Sequence, residues 1–252
     1  MYSLKTFFIT FLSALCITFV GFASLYWVIT PSSHPTDIKQ SGIPITTAQK
    51  DDNKTTLLSL QLQDTQFFFT IKLNAMDKEI SVTAIPSDFY LPSAQRTLSQ
   101  SFEYAGIMQC VQDLSSYLDT TIDYHLYLDS DYLIKLAKTL DNNLDLSHLI
   151  NNDSLLQQTN QFLSPQTFAG YIATTPHIFN NSSGLASLCS IITEIIKSDS
   201  LSLQNQTITE IQNNISYLAT NIGKTEAIRI IRILSLLQHT SPQYNINILS
   251  SD

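Results

Sequence analysis

The sequence predicts an α/β domain, with a central mixed β-sheet covered by helices on both faces and one transmembrane helix in front of it. Three features support this prediction. An uncharged apolar run occupies the N-terminus, strand-like and helix-like segments alternate through the middle, and the second half repeats apolar residues at helical spacing. The chain has 252 residues. About 220 of them remain after the apolar run, enough for one domain with a buried core.

The apolar run covers residues 6–30 and has the length of a helix that spans a bilayer. Tyr26 and Trp27 lie near its end, where amphipathic rings favour the membrane interface. Lys5 and the amino terminus are the positive charges before it, so residues 1–5 are expected to be cytoplasmic and the domain extracytoplasmic. We therefore predict a single-pass protein of the cell membrane. A cleaved signal peptide is the alternative, although its apolar core is usually shorter.

The segment after the apolar run has the composition of a linker. Residues 31–54 are polar, contain prolines and show no periodicity, which leaves residues 55–252 as the folded extracytoplasmic domain. The formal net charge of the chain is −8, and only 13 residues are Lys or Arg. This composition argues against nucleic acid as a partner, because binding its phosphates requires clustered basic residues.

The first part of the domain has the pattern of a β-hairpin followed by a helix. Residues 56–62 and 67–73 are rich in β-favouring types, and residues 79–85 alternate apolar with polar positions. The continuous apolar run at residues 67–71 predicts a central strand that is buried on both faces. A helix is predicted over residues 99–118, where apolar residues recur at helical spacing.

The remainder of the chain is predicted to be mostly helical. A strand buried on one face is expected over residues 122–128, and Asp129 or Ser130 can cap the helix that follows it. Further helices are predicted after Ser164-Pro165, over 185–195, over 208–218 and over 224–237, the last being apolar nearly all round and therefore well buried. Arg229 and Arg232 on that last helix, close to a glutamate, indicate either an ion-paired edge or a substitute phosphate site.

Three cysteines are present. Cys16 lies in the apolar run, whereas Cys110 and Cys189 fall on the core-facing sides of predicted helices. Buried free thiols are one interpretation, since a free cysteine packs as a small hydrophobe. A disulfide between Cys110 and Cys189 is the other, if the domain is extracytoplasmic. The cysteines and histidines lack the spacing of a zinc site.

Two short acidic motifs follow predicted strands. The first reads Leu62-Gln63-Asp64-Thr65 and the second reads Ile85-Pro86-Ser87-Asp88. The next element begins near Thr97, with Arg96 one residue before it. In these motifs, and in the order of elements over residues 57–141, the chain resembles the LytR-CpsA-Psr (LCP) family. Its members are membrane-anchored enzymes that attach glycopolymers to bacterial cell walls.

The family motifs contain arginines that this sequence lacks. They read approximately Arg-x-Asp-Thr and Ile-Pro-Arg-Asp, and here Leu62 and Ser87 stand at the two arginine positions. Thr97 stands where the family has a basic residue. The later family motifs would fall near residues 167–174 and 183–190, which contain no arginine.

The resemblance implies an α-β-α sandwich, with a polyprenyl-pyrophosphate-linked glycopolymer as donor and peptidoglycan as acceptor. It implies catalytic roles for Asp64 and Asp88, which would hold Mg²⁺ or orient basic groups, and substrate-binding roles for Thr65 and Arg96. Other interpretations of these residues remain. Asp64 and Asp88 can serve as turn residues, and Arg96 can be a solvated loop charge. The phenylalanines at 67–69 can pack the core or line a lipid-tail pocket.

The missing arginines bear directly on activity. Guanidinium groups grip diphosphates through paired charge-assisted hydrogen bonds, each worth about 1.5–3 kcal/mol. Loss of several such bonds would lower transition-state binding by orders of magnitude. We therefore expect a degenerate LCP protein with a binding or regulatory role. The alternatives are an active phosphotransferase with a site rearranged around Asp64, Asp88, Arg96 and Mg²⁺, and a structural or interaction domain without a ligand.

Overall fold

The computed structural model describes residues 48–140, 165–197 and 219–250. The strands are β1 (Asn53–Leu62), β2 (Thr65–Asn74), β3 (Glu79–Ile85), β4 (Tyr90–Leu91), β5 (Arg96–Thr97), β6 (Tyr124–Asp129), β7 (Ala219–Thr220) and β8 (Gln243–Ile248). The helices are α1 (Leu98–Leu118), α2 (Ser130–Leu140), α3 (Pro165–Thr174), α4 (Ser182–Lys197) and α5 (Lys224–His239). Short 3₁₀ helices form at Lys50–Asp52 and Pro176–Phe179.

Six of the strands form one mixed sheet in the order β7-β6-β1-β2-β3-β8, and β4 pairs with β5 in a separate two-stranded ribbon. The pairs β1–β6 and β3–β8 are parallel, whereas β1–β2, β2–β3 and β6–β7 are antiparallel. It follows that β1, β3, β6 and β8 run in the same direction. Their carboxyl ends meet at one edge of the sheet, and the turn from β1 to β2 lies at that edge too.

The run of three phenylalanines in β2 explains why this strand lies inside the sheet. Successive side chains of a strand point to opposite faces. Phe67 and Phe69 therefore enter the core on one face, and Phe68 enters the core on the other. All three are 0–1% exposed. The prediction of a central strand buried on both faces is confirmed.

The two faces of the sheet carry separate cores. On one face, α1 covers Leu57, Phe68 and Ile85. On the other, side chains of α2, α3, α4 and α5 join apolar residues from β1, β2 and β3. Helices thus pack on both faces of a central mixed sheet, as the sequence predicts, with one helix on one side and four on the other among the described elements.

Helix α5 differs from its expectation. The sequence predicts a well-buried helix, and the structure buries only one of its faces. Ile233, Leu234 and Leu237 are buried, but Ile228 is 50% exposed and Arg229 lies in solvent. The reason is that α5 presents only one face to the core, so its other apolar residues remain at the surface.

Two small features and one longer strand go beyond the sequence predictions. The β4–β5 ribbon and β7 are two-residue strands, too short to produce a periodic pattern. Strand β8 does alternate apolar and polar side chains, but its polar positions are asparagines, which are depleted in strands. β8 is the edge strand at one end of the sheet, where it pairs with β3.

The N-terminal predictions fall mostly outside the described residues. These include the transmembrane helix at 6–30 and most of the linker, as well as the helix at 208–218 further along the chain. No described helix combines the length and apolar character needed to cross a bilayer. The single-pass topology stays a prediction. β1 begins at Asn53, so the last two residues of the predicted linker belong to the sheet.

Both described cysteines are free and buried. Cys110 lies in the core beneath α1, and Cys189 lies in the core on the opposite face of the sheet. The alternative of a Cys110–Cys189 disulfide is therefore wrong, because the sheet separates the two thiols. Burial raises the pKa of each thiol to about 12, which keeps both protonated and unreactive at neutral pH.

Candidate functional site

The turns that follow β1 and β3 meet at one edge of the sheet, which we call the carboxyl edge. The first turn of α1 is held there as well, because the backbone amides of Leu98 and Ser99 donate to the carbonyls of Phe89 and Ser87 at 2.9 and 2.8 Å. The carboxyl edge consists of the turn residues Gln63 and Asp64, residues 86–88, Asp129 at the end of β6, and the first turn of α1. The fold therefore brings the two acidic motifs to the same edge.

Asp64 lies in the two-residue turn that joins β1 to β2. Leu62 pairs with Thr65 across this turn, and Asp64 is exposed. Gln63 has a φ of 53°, in the left-handed region that favours glycine. The turn therefore holds Gln63 in a conformation that costs about 1 kcal/mol or more. Thr65 is half-buried as the first residue of β2.

Asp88 lies in a second tight turn, after β3. The backbone amide of Phe89 donates to the carbonyl of Pro86 at 3.0 Å, which closes a turn around Ser87 and Asp88. The side chain of Asp88 is exposed, and Ser87 is half-buried. Both predicted catalytic aspartates are thus presented to solvent on turns. Neither carboxylate has a hydrogen-bond partner among the described residues.

The positions at which the family motifs carry basic residues have other uses here. Leu62 is 0% exposed and belongs to the core on the four-helix face. Thr97 is the N-cap of α1: its hydroxyl accepts from the amide of Gln100, and the Gln100 side chain accepts from the amide of Thr97. The first amides of α1 are therefore bonded within the protein. A helix N-terminus capped in this way offers no free donors to a phosphate.

Arg96, a predicted substrate-binding residue, is bonded to a carboxylate of its own chain. Its Nε and Nη2 atoms donate to Oδ2 of Asp113 at 3.1 and 2.9 Å. Ser101 donates to the same oxygen at 2.8 Å, and Gln109 donates to the other oxygen at 2.8 Å. Burial raises the pKa of Asp113, but the hydrogen bonds from Ser101, Gln109 and Arg96 outweigh it and lower the pKa below its ordinary value. The charge of Arg96 is therefore neutralised locally.

Helical spacing in the sequence does not predict the partners of Arg96, because α1 is not a continuous helix. Ala105 and Gly106 have non-helical dihedrals, and Gly106 has φ +70° and ψ −163°. This kink shifts the helical periodicity, so Ser101 and Asp113 meet although a straight helix would separate them. The Gln109–Asp113 spacing of four residues was the one readable signal. The exposed ring of Tyr104 lies 4.8 Å from the Arg96 guanidinium and covers it on the kink side.

Two other basic residues also have carboxylate partners, but at the opposite edge of the sheet. Arg232 donates through Nη2 to both oxygens of Asp52, at 3.0 and 3.2 Å. Lys54 donates to Asp123 at 3.1 Å. Asp52 precedes β1 and Asp123 precedes β6, so both pairs lie where these strands begin. Arg232 is therefore ion-paired, but with Asp52 and not with the glutamate of its own helix, and Arg229 has no carboxylate partner among the described residues.

The carboxyl edge is consequently acidic. Asp129 is exposed at the end of β6, where it accepts from the amide of Tyr132 at 2.8 Å, and Asp131 is exposed in the first turn of α2. Carboxylates suit Mg²⁺, which one or two of them often hold together with water and substrate phosphates. In the part of the chain that the structure describes, no group of three or more His, Cys, Asp or Glu side chains is placed to hold a metal ion. The magnesium role of Asp64 and Asp88 stays a prediction.

Solved structures share this architecture. A protein of Eubacterium siraeum described as a transcription regulator matches 85% of this chain and 89% of its own, with a TM-score of 0.62 and 15% identity. TagT, a Bacillus subtilis protein, matches in a structure bound to LIIa-WTA over 82% of both chains, with a TM-score of 0.54 and 16% identity.

A third structure names the family. The LytR-CPS2A-psr family protein YwtF (TagT) with bound octaprenyl pyrophosphate lipid matches 82% of this chain and 81% of its own, with a TM-score of 0.52 and 15% identity. No family model matches the sequence, and no curated protein sequence does either. At these identities the likeness establishes the fold, and the chemistry has to be argued from the residues of this chain.

Proposed function

Because the chain has the fold of LytR-CPS2A-psr family proteins, we propose that it binds polyprenyl-linked glycopolymer carriers of the bacterial envelope without transferring the polymer to peptidoglycan. One observation carries this proposal. At the carboxyl edge, the positions that resemble the family's arginines hold a buried leucine and a serine, and the nearby Arg96 is bonded to Asp113.

The electrostatics favour binding through the lipid tail over binding through the phosphates. A pyrophosphate placed near Asp64 and Asp88 would meet exposed carboxylates and no uncommitted guanidinium from the family's motif positions. Each missing charge-assisted hydrogen bond removes about 1.5–3 kcal/mol of head-group binding. A polyprenyl tail depends instead on apolar contacts, and the sheet and its helices supply apolar side chains on both faces.

The binding test compares head groups on a constant tail. The full-length chain in detergent is titrated with octaprenol, octaprenyl phosphate and octaprenyl pyrophosphate in turn. Binding is measured by isothermal titration calorimetry. We expect saturable binding of all three, with the pyrophosphate bound no more than about fivefold tighter than the alcohol, a difference of about 1 kcal/mol. If none of the three binds, the chain is a structural domain and the proposal fails.

The transfer test separates binding from catalysis. Labelled polyprenyl-pyrophosphate-linked glycan, peptidoglycan and Mg²⁺ are incubated with the full-length chain, and polymer attached to peptidoglycan is measured. We expect no transfer above the protein-free background. Turnover that Asp88→Ala abolishes and Asp119→Asn leaves intact would establish the rearranged active site instead. Asp119 is a suitable control because it is an exposed aspartate at the far end of α1.

The proposal includes the membrane anchor at residues 6–30. A carrier lipid resides in the bilayer, so a domain tethered there by a short linker meets its ligand at high local concentration. Fusion of alkaline phosphatase after residue 252 tests the topology, since this reporter is active only outside the cytoplasm. An inactive fusion that is fully expressed would place the domain inside the cell.

A further inference from the structure

Strand β8 forms an open end of the sheet. Among the described residues, β3 is its strand neighbour and no strand lies on its other side. At the opposite end of the sheet the edge strand is β7, which has two residues, whereas β8 has six. Short edge strands and charged or proline residues protect sheet edges from pairing with other chains. β8 has none of these protections, because Gln243–Ile248 contains no charged residue, no proline and no glycine.

The hydrogen bonds to β3 reveal which backbone groups of β8 point outward. The amides of Gln243 and Leu249 donate to the β3-side carbonyls of Lys78 and Ala84 at 2.8 and 2.9 Å. Backbone groups alternate in direction along a strand paired on one side. Asn245 and Asn247 consequently also face β3. The amides and carbonyls of Tyr244, Ile246 and Ile248 face away from the sheet.

The three outward-facing residues have a self-complementary spacing. If a second β8 pairs antiparallel with the first so that Ile246 faces Ile246 of the other copy, Tyr244 falls opposite Ile248 on both sides of the twofold axis. Each facing pair exchanges two hydrogen bonds, about six in total. Asn245, whose side-chain amide donates to Glu79 of its own chain at 2.9 Å, then lies opposite Asn247 on the other sheet face.

The side chains of β8 favour a second copy of this chain over another partner. Two chains with a net charge of −8 repel each other at most surfaces, but β8 itself carries no charged side chain. Among the described residues, the charges that contact it are one of each sign, Lys197 at 4.7 Å from the Tyr244 ring and Glu79 bonded to Asn245. Ile246 is 41% exposed, whereas its neighbours on the same face, Tyr244 and Ile248, pack against the core. Pairing two copies would cover this isoleucine with its own symmetry mate.

We propose that β8 is a homodimerisation strand, and that two chains join antiparallel about Ile246 to form one continuous sheet across the twofold axis. This assembly leaves the carboxyl edge of each copy exposed. The carboxyl edge lies at the ends of the strands, whereas the contact between copies runs along the side of β8. It also positions two ligand sites on one particle.

Cross-linking tests the register directly. In a full-length chain with Cys16→Ser, Ile246→Cys places two cysteines across the axis at a Cα–Cα distance of about 5.5 Å, within disulfide range. Asn245→Cys is the matched control, because its two copies would lie about 8 Å apart, beyond that range. Mild oxidation in membranes should give at least about tenfold more disulfide dimer with the first variant. Equal cross-linking, or more with the control, would overturn the register.

Light scattering on the purified full-length chain tests the assembly. We expect the mass of a dimer, and a monomer for Ile246→Lys, since this variant places two ammonium groups opposite each other. Met108→Lys introduces the same charge at a 59% exposed position on α1 and should remain a dimer. A monomeric wild-type chain, or an Ile246→Lys variant that stays dimeric, refutes the proposal. Circular dichroism melting confirms that both variants fold.

Discussion

Leu62 and Ser87 both stand at arginine positions of the family motifs, but their surroundings differ. Leu62 is enclosed by the core, whereas Ser87 is half-buried on a turn beside solvent. An arginine therefore has room at one position and none at the other. The absence of guanidinium groups at the carboxyl edge follows from core packing at Leu62 and from side-chain choice alone at Ser87.

Substitution at these two positions separates packing from charge. Leu62→Arg should lower the free energy of unfolding by about 4 kcal/mol or more, because it buries an unpaired charge. Leu62→Met, of similar volume, should cost less than about 1.5 kcal/mol. Ser87→Arg should fold normally and tighten octaprenyl pyrophosphate binding about tenfold without changing octaprenol binding. Urea denaturation and calorimetry measure these effects; an equally stable Leu62→Arg protein would contradict the burial of this position.

The Arg96–Asp113 pair predicts a pH-dependent stability difference. Because the folded pKa of Asp113 lies below the ordinary value of 3.8, its stabilising contribution is present above that pH and is lost as the pH falls through the folded pKa. Arg96→Ala should destabilise the protein by about 1–3 kcal/mol at pH 7, since Asp113 loses two hydrogen bonds from a partly exposed partner. The difference from wild type should shrink below about pH 4, where Asp113 becomes protonated in the variant.

Denaturation at several pH values measures that difference. Arg229→Ala is the control, because Arg229 is exposed and has no partner among the described residues. It should change stability by less than about 0.5 kcal/mol at any pH. If the difference in the free energy of unfolding between wild type and Arg96→Ala does not change between about pH 3 and pH 7, Asp113 is not the group responsible.

Helix α1 owes its shape to one residue conformation. Gly106 adopts dihedrals that side-chain-bearing residues almost never take, and this lets the helix bend so that Asp113 reaches Ser101 and Arg96. The bend also brings Tyr104 over the guanidinium. The kink is therefore what assembles the buried polar network next to the carboxyl edge.

Two glycine-to-alanine substitutions should change the free energy of unfolding in opposite directions. A Cβ at Gly106 or Gly170 would meet nothing within 4 Å, so neither change creates a clash. Gly106→Ala should still destabilise by about 1–3 kcal/mol because of its dihedrals. Gly170→Ala, inside α3, should stabilise by about 0.5–1 kcal/mol because alanine is the better helix former. Denaturant midpoints decide the matter, and a stabilised Gly106→Ala would show that α1 can straighten.

The comparison of α1 and α5 shows what sequence patterns can predict here. β3 and the end of α1 fall where the pattern predicts them, because period-two and helical spacing report burial on one face. The kink at Gly106 and the partly exposed α5 depend on contacts with distant parts of the chain, which periodicity does not encode. The family resemblance paired Asp64 with Asp88, whereas the pairing of Arg96 with Asp113 depends on such distant contacts and could not be predicted.

The sheet divides the protein into two cores that share only its strands. Cys110 reports on the core beneath α1, and Cys189 reports on the core on the four-helix face. β2 contributes to both, through Phe68 on one side and its two neighbours on the other. A strand shared in this way couples the two cores, because neither can lose β2 without exposing the other.

Thiol reactivity can test that coupling. In Cys16→Ser variants that retain either Cys110 or Cys189, thiol labelling should be negligible in the native state, since burial raises both pKa values to about 12. Both thiols should become reactive at the same urea concentration, matching the loss of circular dichroism. Labelling of one thiol at a clearly lower concentration would show that one face opens on its own.

The burial of Leu62 also limits how such a chain could change over generations. An arginine at this position would have to enter hydrocarbon before the facing side chains had made room, and the unfolded intermediate would be eliminated by proteolysis. Introducing it would require coordinated replacements on several elements at once. Sequences with leucine and sequences with arginine at this position are therefore separated by unstable intermediates.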